Sequence, residues 1–511
     1  MKTYDINARR GSALVIVIWA VAIGAAIVAG LQVLSFRQAI LGNDAIARVQ
    51  ARWAARAGVE TMIAIMEYHT ENSDPDDALS MILDLEDNSY GKLETGTYDI
   101  RHFLDGVETA GPLDEHSKAN INLLTSTELM NIRDMTPDIV GAIVDWRDAN
   151  EDAGMLGAEK TYYQNRGKSY VPRNANFRNF AELELVAGVW PDSTRGEDWN
   201  LNGRLDPNED DGDQTWPDDN ADGILDAGWS GMLTASSRTS PLAASGEDRL
   251  NLTKATSAEV VERLGVTEPQ ASALLAYAKT PNARLEQLLV VPLSTLSQQT
   301  GGPAGASGGA SGGASGGASG GASAGATGGA NSRGGGTANA SSGGGKPGTG
   351  GSGGSSTGGG RTGRSSGGRD SATGGKAQGG PGNLDSATVG KVLNECTLKE
   401  FTRPEAGKMN INTVSGQVLK DVFDMNPKIV DSLIARRDAK PTGLTSLAAV
   451  LDIPGMTPQI LSSLAKNLDV QSYVFTITSK GRSLTVGGES EMIVTVDRST
   501  LPAQILMYRE P

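Results

Sequence analysis

Between Arg10 and Arg37 the chain carries no charged side chain. That apolar stretch exceeds the roughly 20 residues a helix needs to cross ~30 Å of hydrocarbon. It is also longer than the apolar core of about 7–15 residues in a cleavable secretory signal. The helical pattern continues past Arg37, with Ala45, Val49, Trp53, Ala57 and Met62 on one stripe and Arg48, Arg52, Arg56 and Glu60 on another. One helix from about Ser12 to Tyr68 is therefore expected, on the order of 85 Å long, its first half in lipid and its second half amphipathic. Lys2, Arg9 and Arg10 precede the apolar run and an acidic bulk follows it, which favours an N-terminus in the cytoplasm with the rest outside.

Forty-five basic residues stand against 60 acidic ones, a net charge of -15. Such a surface repels nucleic acid and attracts cations. Cys396 is the only cysteine, so no intrachain disulfide can form. His69, His102 and His116 are the only histidines, in no ligand or triad spacing. There is no nucleophile elbow, phosphate loop or zinc-protease motif, so catalysis has little support and each histidine reads as an ordinary surface residue.

Alternating apolar residues predict strands at 96–106 and over 471–511, where Tyr473, Phe475 and Ile477 alternate and Gly481, Gly487 and Gly488 punctuate. Between them lie three loosely repeated segments, 120–149, 250–278 and 410–439. Each has an Asn-containing start, a Thr or Ser helix cap, an apolar helix, a Pro-containing hairpin and a second helix. They read as helix-hairpin-helix units, with a fourth hairpin at 451–468. From Gly301 to about Pro381 a GGAS repeat and looser Gly/Ser text cannot bury enough surface to fold, and reads as a tether.

The expected organisation is α+β: a leader at 1–11, a long helix at 12–68, the first part of a small antiparallel domain at 69–117, a first helical unit at 118–190, an acidic segment at 191–232, a second unit at 233–300, a linker at 301–385, a third unit at 386–470 and closing strands at 471–511.

The acidic segment 197–229 holds eleven Asp or Glu and one Arg. Asp198, Asn200 and Asn202 occupy positions 1, 3 and 5 of a calcium loop. Gly203 follows at 6, Arg204 at 7 through its carbonyl, Asp206 at 9 and Glu209 at 12. A second copy runs through Asp218, Asn220, Asp222, Gly223, Ile224 and Asp226, but its position 12 is Trp229, which offers no carboxylate. A solvated acidic loop is the plainer alternative; two copies in register favour calcium. Pro191, Pro207 and Pro217 argue against a full helix-loop-helix calcium hand. A third, looser oxygen pattern joins Asp148, Asn150, Asp152 and Glu159, where capping and solvation explain the residues nearly as well.

Helix-hairpin-helix units raise duplex DNA as a rival partner. Thr457 stands where a second glycine would allow close phosphate approach, and residues 407–470 carry seven Lys or Arg against six Asp. Neither feature is the footprint of a phosphate reader.

The start "RRGSALVIVIWAV", the helix "QARWAARAGVE", the run "NINLLTSTELM…IVDWRDANED…GAEKTYYQ" with "NFAELELVAGV", and the later "MNINTVSGQVL…LIARRDA" and "LDVQSYVFTITSKGRS" resemble the K-type minor pseudopilins of type II secretion systems, the GspK family. The resemblance implies cleavage after Gly11 by a prepilin peptidase, with Ser12 as the mature N-terminus and the apolar helix kept for assembly. It implies Ile16 at the fifth mature position, where most pilin-like proteins carry Glu. It further implies calcium binding, partner minor pseudopilins and inner-membrane secretion components, a single-pass inner-membrane location with the bulk in the periplasm, and a role at the pseudopilus tip, initiating or capping assembly for protein export. The paired loops, the unit at 250–278 and the GGAS tract depart from the family pattern. Two other functions remain open from the residues: a membrane-tethered DNA receptor and a signal-anchored calcium-binding attachment module.

Overall fold

The computed structural model describes residues 10–298, 383–402, 405–485 and 487–510. Most of the expected leader and the GGAS tract at 301–382 lie outside these residues. The first helix, α1 (Arg10–Glu71), is 62 residues long, about 93 Å at the α-helical rise. Its apolar half has a mean hydropathy of 2.8 and buries none of its surface against the rest of the chain. Among the described residues it is one helix long and apolar enough to span a membrane, and its side chains need lipid or neighbouring helices to cover them.

From Ala47 onward α1 lies on an antiparallel sheet. The strands are β1 (Tyr90–Lys92), β2 (Gly96–Leu104), β3 (Val107–Ala110), β4 (Leu113–Asp114), β5 (Val474–Ser483), β6 (Glu489–Asp497) and β7 (Gln504–Arg509). The order is β1-β2-β5-β6-β7, with β3 on β2 and β4 on β5. Ile100 pairs with Ser479 and Phe475 with Asp114, so everything from 115 to 473 is inserted between neighbouring strands of one sheet.

The stripe of α1 that meets this sheet differs from the expected one. Ala51, Ala54, Ala55, Val59, Met62 and Met66 are buried, whereas Val49 and Trp53 are 55% and 60% exposed. The cause is a close approach. A Cβ on Gly481 would stand 2.0 Å from the Ala51 carbonyl oxygen, and one on Gly58 would stand 2.6 Å from Ser479 Oγ. Ser479 Oγ donates to the Ala55 carbonyl at 2.9 Å. Only small side chains allow helix and strand backbones so near; larger apolar residues must turn outward.

The inserted region repeats one local plan three times. Ala119–Asn120 pairs in parallel with Leu233–Thr234, Leu250–Asn251 with Cys396–Thr397, and Met409–Asn410 with Leu468–Asp469. In each copy the Asn side chain accepts a hydrogen bond from the amide two residues on: Asn122 at 2.9 Å, Thr253 at 3.0 Å and Asn412 at 2.9 Å. Thr125 and Thr256 then form capping boxes with Glu128 and Glu259. A second helix starts with Pro in its first turn in each case, at Pro137–Arg147, Glu268–Ala278 and Pro427–Asp438. The apolar faces of all three copies merge into one core containing Ile143, Trp146, Val260, Leu274, Val430 and Leu461.

The helix Ser386–Glu395, expected to open the third unit, closes the second. It leads into Cys396–Thr397 on the second ladder. Its buried Glu395 accepts from Ser245 Oγ at 2.7 Å and Arg263 Nε at 2.7 Å. Asn383 accepts from Gln270 Nε2 at 2.7 Å and from the Ser294 amide at 3.2 Å. The tract around 301–382 therefore leaves and re-enters the same unit instead of joining two.

Insertion and sheet are locked together at buried polar groups. Asp114 accepts from the His116 amide at 2.8 Å, from Ser472 Oγ at 2.5 Å and from Thr413 Oγ1. Burial pushes the Asp114 carboxyl upward, against those hydrogen bonds and His116. Asp105, in the turn after β2, receives the Gly416 amide at 2.7 Å.

Candidate metal sites on the inserted region

The loop 198–209 closes around its own oxygens. Asp198 accepts from the Asn202 amide at 2.9 Å and the Gly203 amide at 3.0 Å. Gly203 has φ +67°, so the chain turns there without a Cβ penalty. Asn200 Nδ2 and Asn202 Nδ2 both donate to Asp206 Oδ2, at 2.8 and 2.9 Å. The Glu209 carboxylate spans the loop, accepting from the Trp199 amide at 3.0 Å and the Asp206 amide at 3.1 Å. Asp198 and Glu209 are only 3% and 1% exposed. Burial pushes Asp198 up to about 6 and Glu209 up to about 7, more than the surrounding amides lower them. The residues at positions 1, 3, 5, 9 and 12 thus share one small volume.

This loop rests on the face of the sheet opposite α1. The Phe103 amide donates to the Gly203 carbonyl at 2.7 Å, and Arg509 Nη2 donates to the Leu201 carbonyl at 3.0 Å. Arg204, expected to contribute its carbonyl, also sends its guanidinium to the Asp99 side chain at 3.1 Å. Asn202 Nδ2 lies 3.2 Å from Glu491, whose carboxyl burial pushes upward.

The second loop copies the first with substitutions from elsewhere. Asn220 Nδ2 donates to Asp226 Oδ2 at 3.1 Å, and the Ile224 amide donates to Asp222 at 2.9 Å, as Arg204 does to Asn202 at 2.7 Å. The Gly223 amide, however, meets Asp210 at 2.9 Å. Asp218 is exposed and, among the described residues, makes no hydrogen bond in this loop. The carboxylate missing at Trp229 has a counterpart in Glu197, which accepts from the Asn220 amide at 3.2 Å and the Asp226 amide at 3.0 Å. Trp229 instead joins the core, its Nε1 donating to the Arg133 carbonyl at 2.9 Å. Glu197 precedes both loops in sequence, so no forward spacing pattern reveals it.

The third pattern stands at the end of the helix Pro137–Arg147. Asp148 accepts from the Asn150 amide at 3.1 Å and Asn150 from the Asp152 amide at 2.7 Å. Glu159 is 5% exposed, and neither carboxylate oxygen finds a hydrogen-bond partner. The Lys160 amide favours its charge without reaching bonding geometry. Asp145, 2% exposed and missed by the spacing argument, accepts from the Gly154 amide at 3.2 Å. A Cβ on Gly157 would lie 1.9 Å from Asp145 Oδ2, so the loop needs glycine to fold over this carboxylate. Burial raises both Glu159 and Asp145, and Asp148 raises each further. Two buried, mutually repelling carboxylates, one of them, Glu159, with both oxygens unpartnered, fit a divalent cation. Among the described residues no three His, Cys, Asp or Glu side chains already form a cage; a cation in any of the three loops would need Asn oxygens and main-chain carbonyls to complete its coordination shell.

Residues 106–195 match the family model for type II secretion system (T2SS), protein K. The matched segment spans the end of the first sheet strands, the first helical unit and the Asp145–Glu159 loop. Among solved structures, the chain is similar to one described as the crystal structure of the GspK-GspI-GspJ complex from the enterotoxigenic Escherichia coli type 2 secretion system. The identity is 11% and the TM-score 0.36, over 90% of this chain and 96% of that one. A search of the curated proteins finds no match. The family match covers residues 106–195.

Proposed function

We propose that this chain, which carries the first domain of a type II secretion protein K, is a calcium-binding minor pseudopilin that initiates or caps a secretion pseudopilus and has no catalysis of its own. The observation that carries the reading is the protein K domain on a chain whose N-terminal helix leaves an entire apolar half uncovered. A prepilin peptidase would cut between Gly11 and Ser12, in the first turn of α1. The helix would then serve first as a single-pass inner-membrane anchor, with the bulk in the periplasm, and afterwards pack with partner minor pseudopilins and inner-membrane secretion components.

Ile16, 67% exposed, brings no carboxylate to the lipid-facing stretch. A subunit with nothing stacked above it has no neighbouring ammonium to pair with, so an apolar residue avoids a costly lone charge in hydrocarbon. The helix-hairpin-helix-like insertion supplies the bulk that would prevent further addition at the tip. Calcium, held by Asp145, Asp148 and Glu159 and by the loops 198–209 and 220–226, would supply charge neutralisation to these carboxylates. Asp198 and Glu209 would then hold the loop closed against the sheet.

Mass spectrometry of the membrane-extracted chain tests the central claim. Ser12 as the N-terminal residue is expected; an intact Met1 would refute prepilin processing and return the chain to an anchored attachment module.

A further inference from the structure

The first helical unit, residues 235–238, Lys399, Glu405, Ala406 and the outer face of β6 and β7 enclose a cleft of about 1100 Å³. Its wall carries Arg147, Arg173, Arg178, Arg238 and Lys399 against Glu405. On a chain of net charge -15 this is a local inversion of sign. Several of these cations are positioned from behind. Arg173 meets Glu182 at 3.1 Å and Arg238 meets Asp497 at 3.3 Å. Arg147 is spent structurally on the carbonyls of Ile121 and Leu124, as Arg437 is on Val414 at 2.7 Å in the third copy. Lys399 faces Glu405 at 3.4 Å. Arg178 makes no ion pair among the described residues. After Glu182, Asp497 and Glu405 are counted, the described residues of the wall keep a surplus of two positive charges.

We propose that this cleft binds an acidic peptide segment. Guanidinium groups match carboxylates in planar, bidentate geometry; Arg178 presents one with no ion pair among the described residues, and Arg173 and Arg238 line the same cleft, each already holding one carboxylate of the chain. Asn176 and Asn179 add amide groups suited to a peptide main chain, and Leu123, Leu506 and Met507 add apolar surface. The volume exceeds what one small anion fills and lies just above the range of ordinary ligand pockets, about 300–1000 Å³. Several residues of an extended chain fit that space.

The test uses the full chain in detergent and a fluorescein-labelled octaglutamate peptide, read by anisotropy, with labelled octaglutamine as the neutral probe. Octaglutamate is expected to bind and octaglutamine not. Arg178→Glu is expected to weaken octaglutamate at least about fivefold. Arg133→Glu, a charge-matched change at a side chain 92% exposed and outside the cleft, is expected to change it less than about twofold. Equal loss in both variants, or no binding by the unaltered chain, would overturn the proposal. Inorganic phosphate or a duplex oligonucleotide displacing the peptide at lower concentration than unlabelled octaglutamate would also overturn it, in favour of a small anion or a nucleic acid.

Discussion

Thr478 Oγ1, on the outer face of the sheet, donates to the main-chain carbonyl of Asn202 at 2.7 Å. The two residues are 276 positions apart, and the bond holds the centre of the acidic loop against strand β5. Replacing Thr478 with Val removes a buried hydrogen bond while keeping the shape. A loss of about 1 kcal/mol is expected, together with a smaller calcium-induced rise in melting temperature. Thermal unfolding of Thr478→Val with and without calcium checks this, and an unchanged calcium increment would separate calcium binding by the loop from its contact with the sheet.

The same loop predicts an inverted pH response. Burial raises Asp198 from 3.8 to about 6 and Glu209 from 4.5 to about 7. A carboxyl raised in the folded state contributes stability as the neutral acid. That contribution is complete below the unfolded value and is lost as pH climbs through the folded one. Metal-free protein should therefore lose stability between about pH 4.5 and 7.5, Glu209 alone accounting for on the order of 3 kcal/mol. Calcium needs the ionised form, so its stabilisation should grow over the same interval. Melting curves in chelator and in calcium at pH 5 and pH 7.5 would show the two slopes diverging.

Glu159→Gln isolates the third loop. The change removes a buried charge that repels Asp145 and Asp148. Without metal at pH 7.5 the variant should be more stable by about 1–2 kcal/mol, and with calcium it should gain less than the unaltered chain. A variant that melts lower in chelator would contradict the reading of Glu159 as a ligand awaiting a cation.

Gly481→Ala should be among the most damaging single changes in the sheet. The new methyl would sit 2.0 Å from the Ala51 carbonyl oxygen, a backbone atom that cannot swing aside. A loss of about 3 kcal/mol is expected, at the upper end of ordinary overpacking. Gly487→Ala, whose added Cβ meets nothing within 4 Å but whose φ is +74°, should cost less, about 1 kcal/mol. Parallel melting curves rank the two.

Replacing 301–380 by an eight-residue Gly/Ser turn should preserve the fold, because Asn383 bonds both Gln270 and Ser294 at the point of re-entry. Loop closure becomes easier by about 2 kcal/mol on a logarithmic length dependence. A raised or unchanged melting temperature is expected; a lowered one would mean that the tract itself contributes contacts.

Much of this molecule is local chemistry. The uncharged run after Arg10, the alternation at Tyr473, Phe475 and Ile477, the Asn starts and Thr caps of the repeats, and the Asp198–Glu209 spacing each depend on residues within one or two turns of chain. Such signals survive in one dimension, and the helix, the strands and the inward-facing oxygens of the first loop followed them. Tertiary structure decided what depends on who stands opposite. Val49 and Trp53 face outward because the close approach of Ala51 to Gly481 leaves room only for small residues. Ser386–Glu395 belongs to the second repeat because Glu395 finds Ser245 and Arg263 there. Glu197 stands in for the carboxylate missing at Trp229 because the chain folds back, and burial, which turns Glu159 from a surface acid into an orphaned charge, exists only once the core around it has closed.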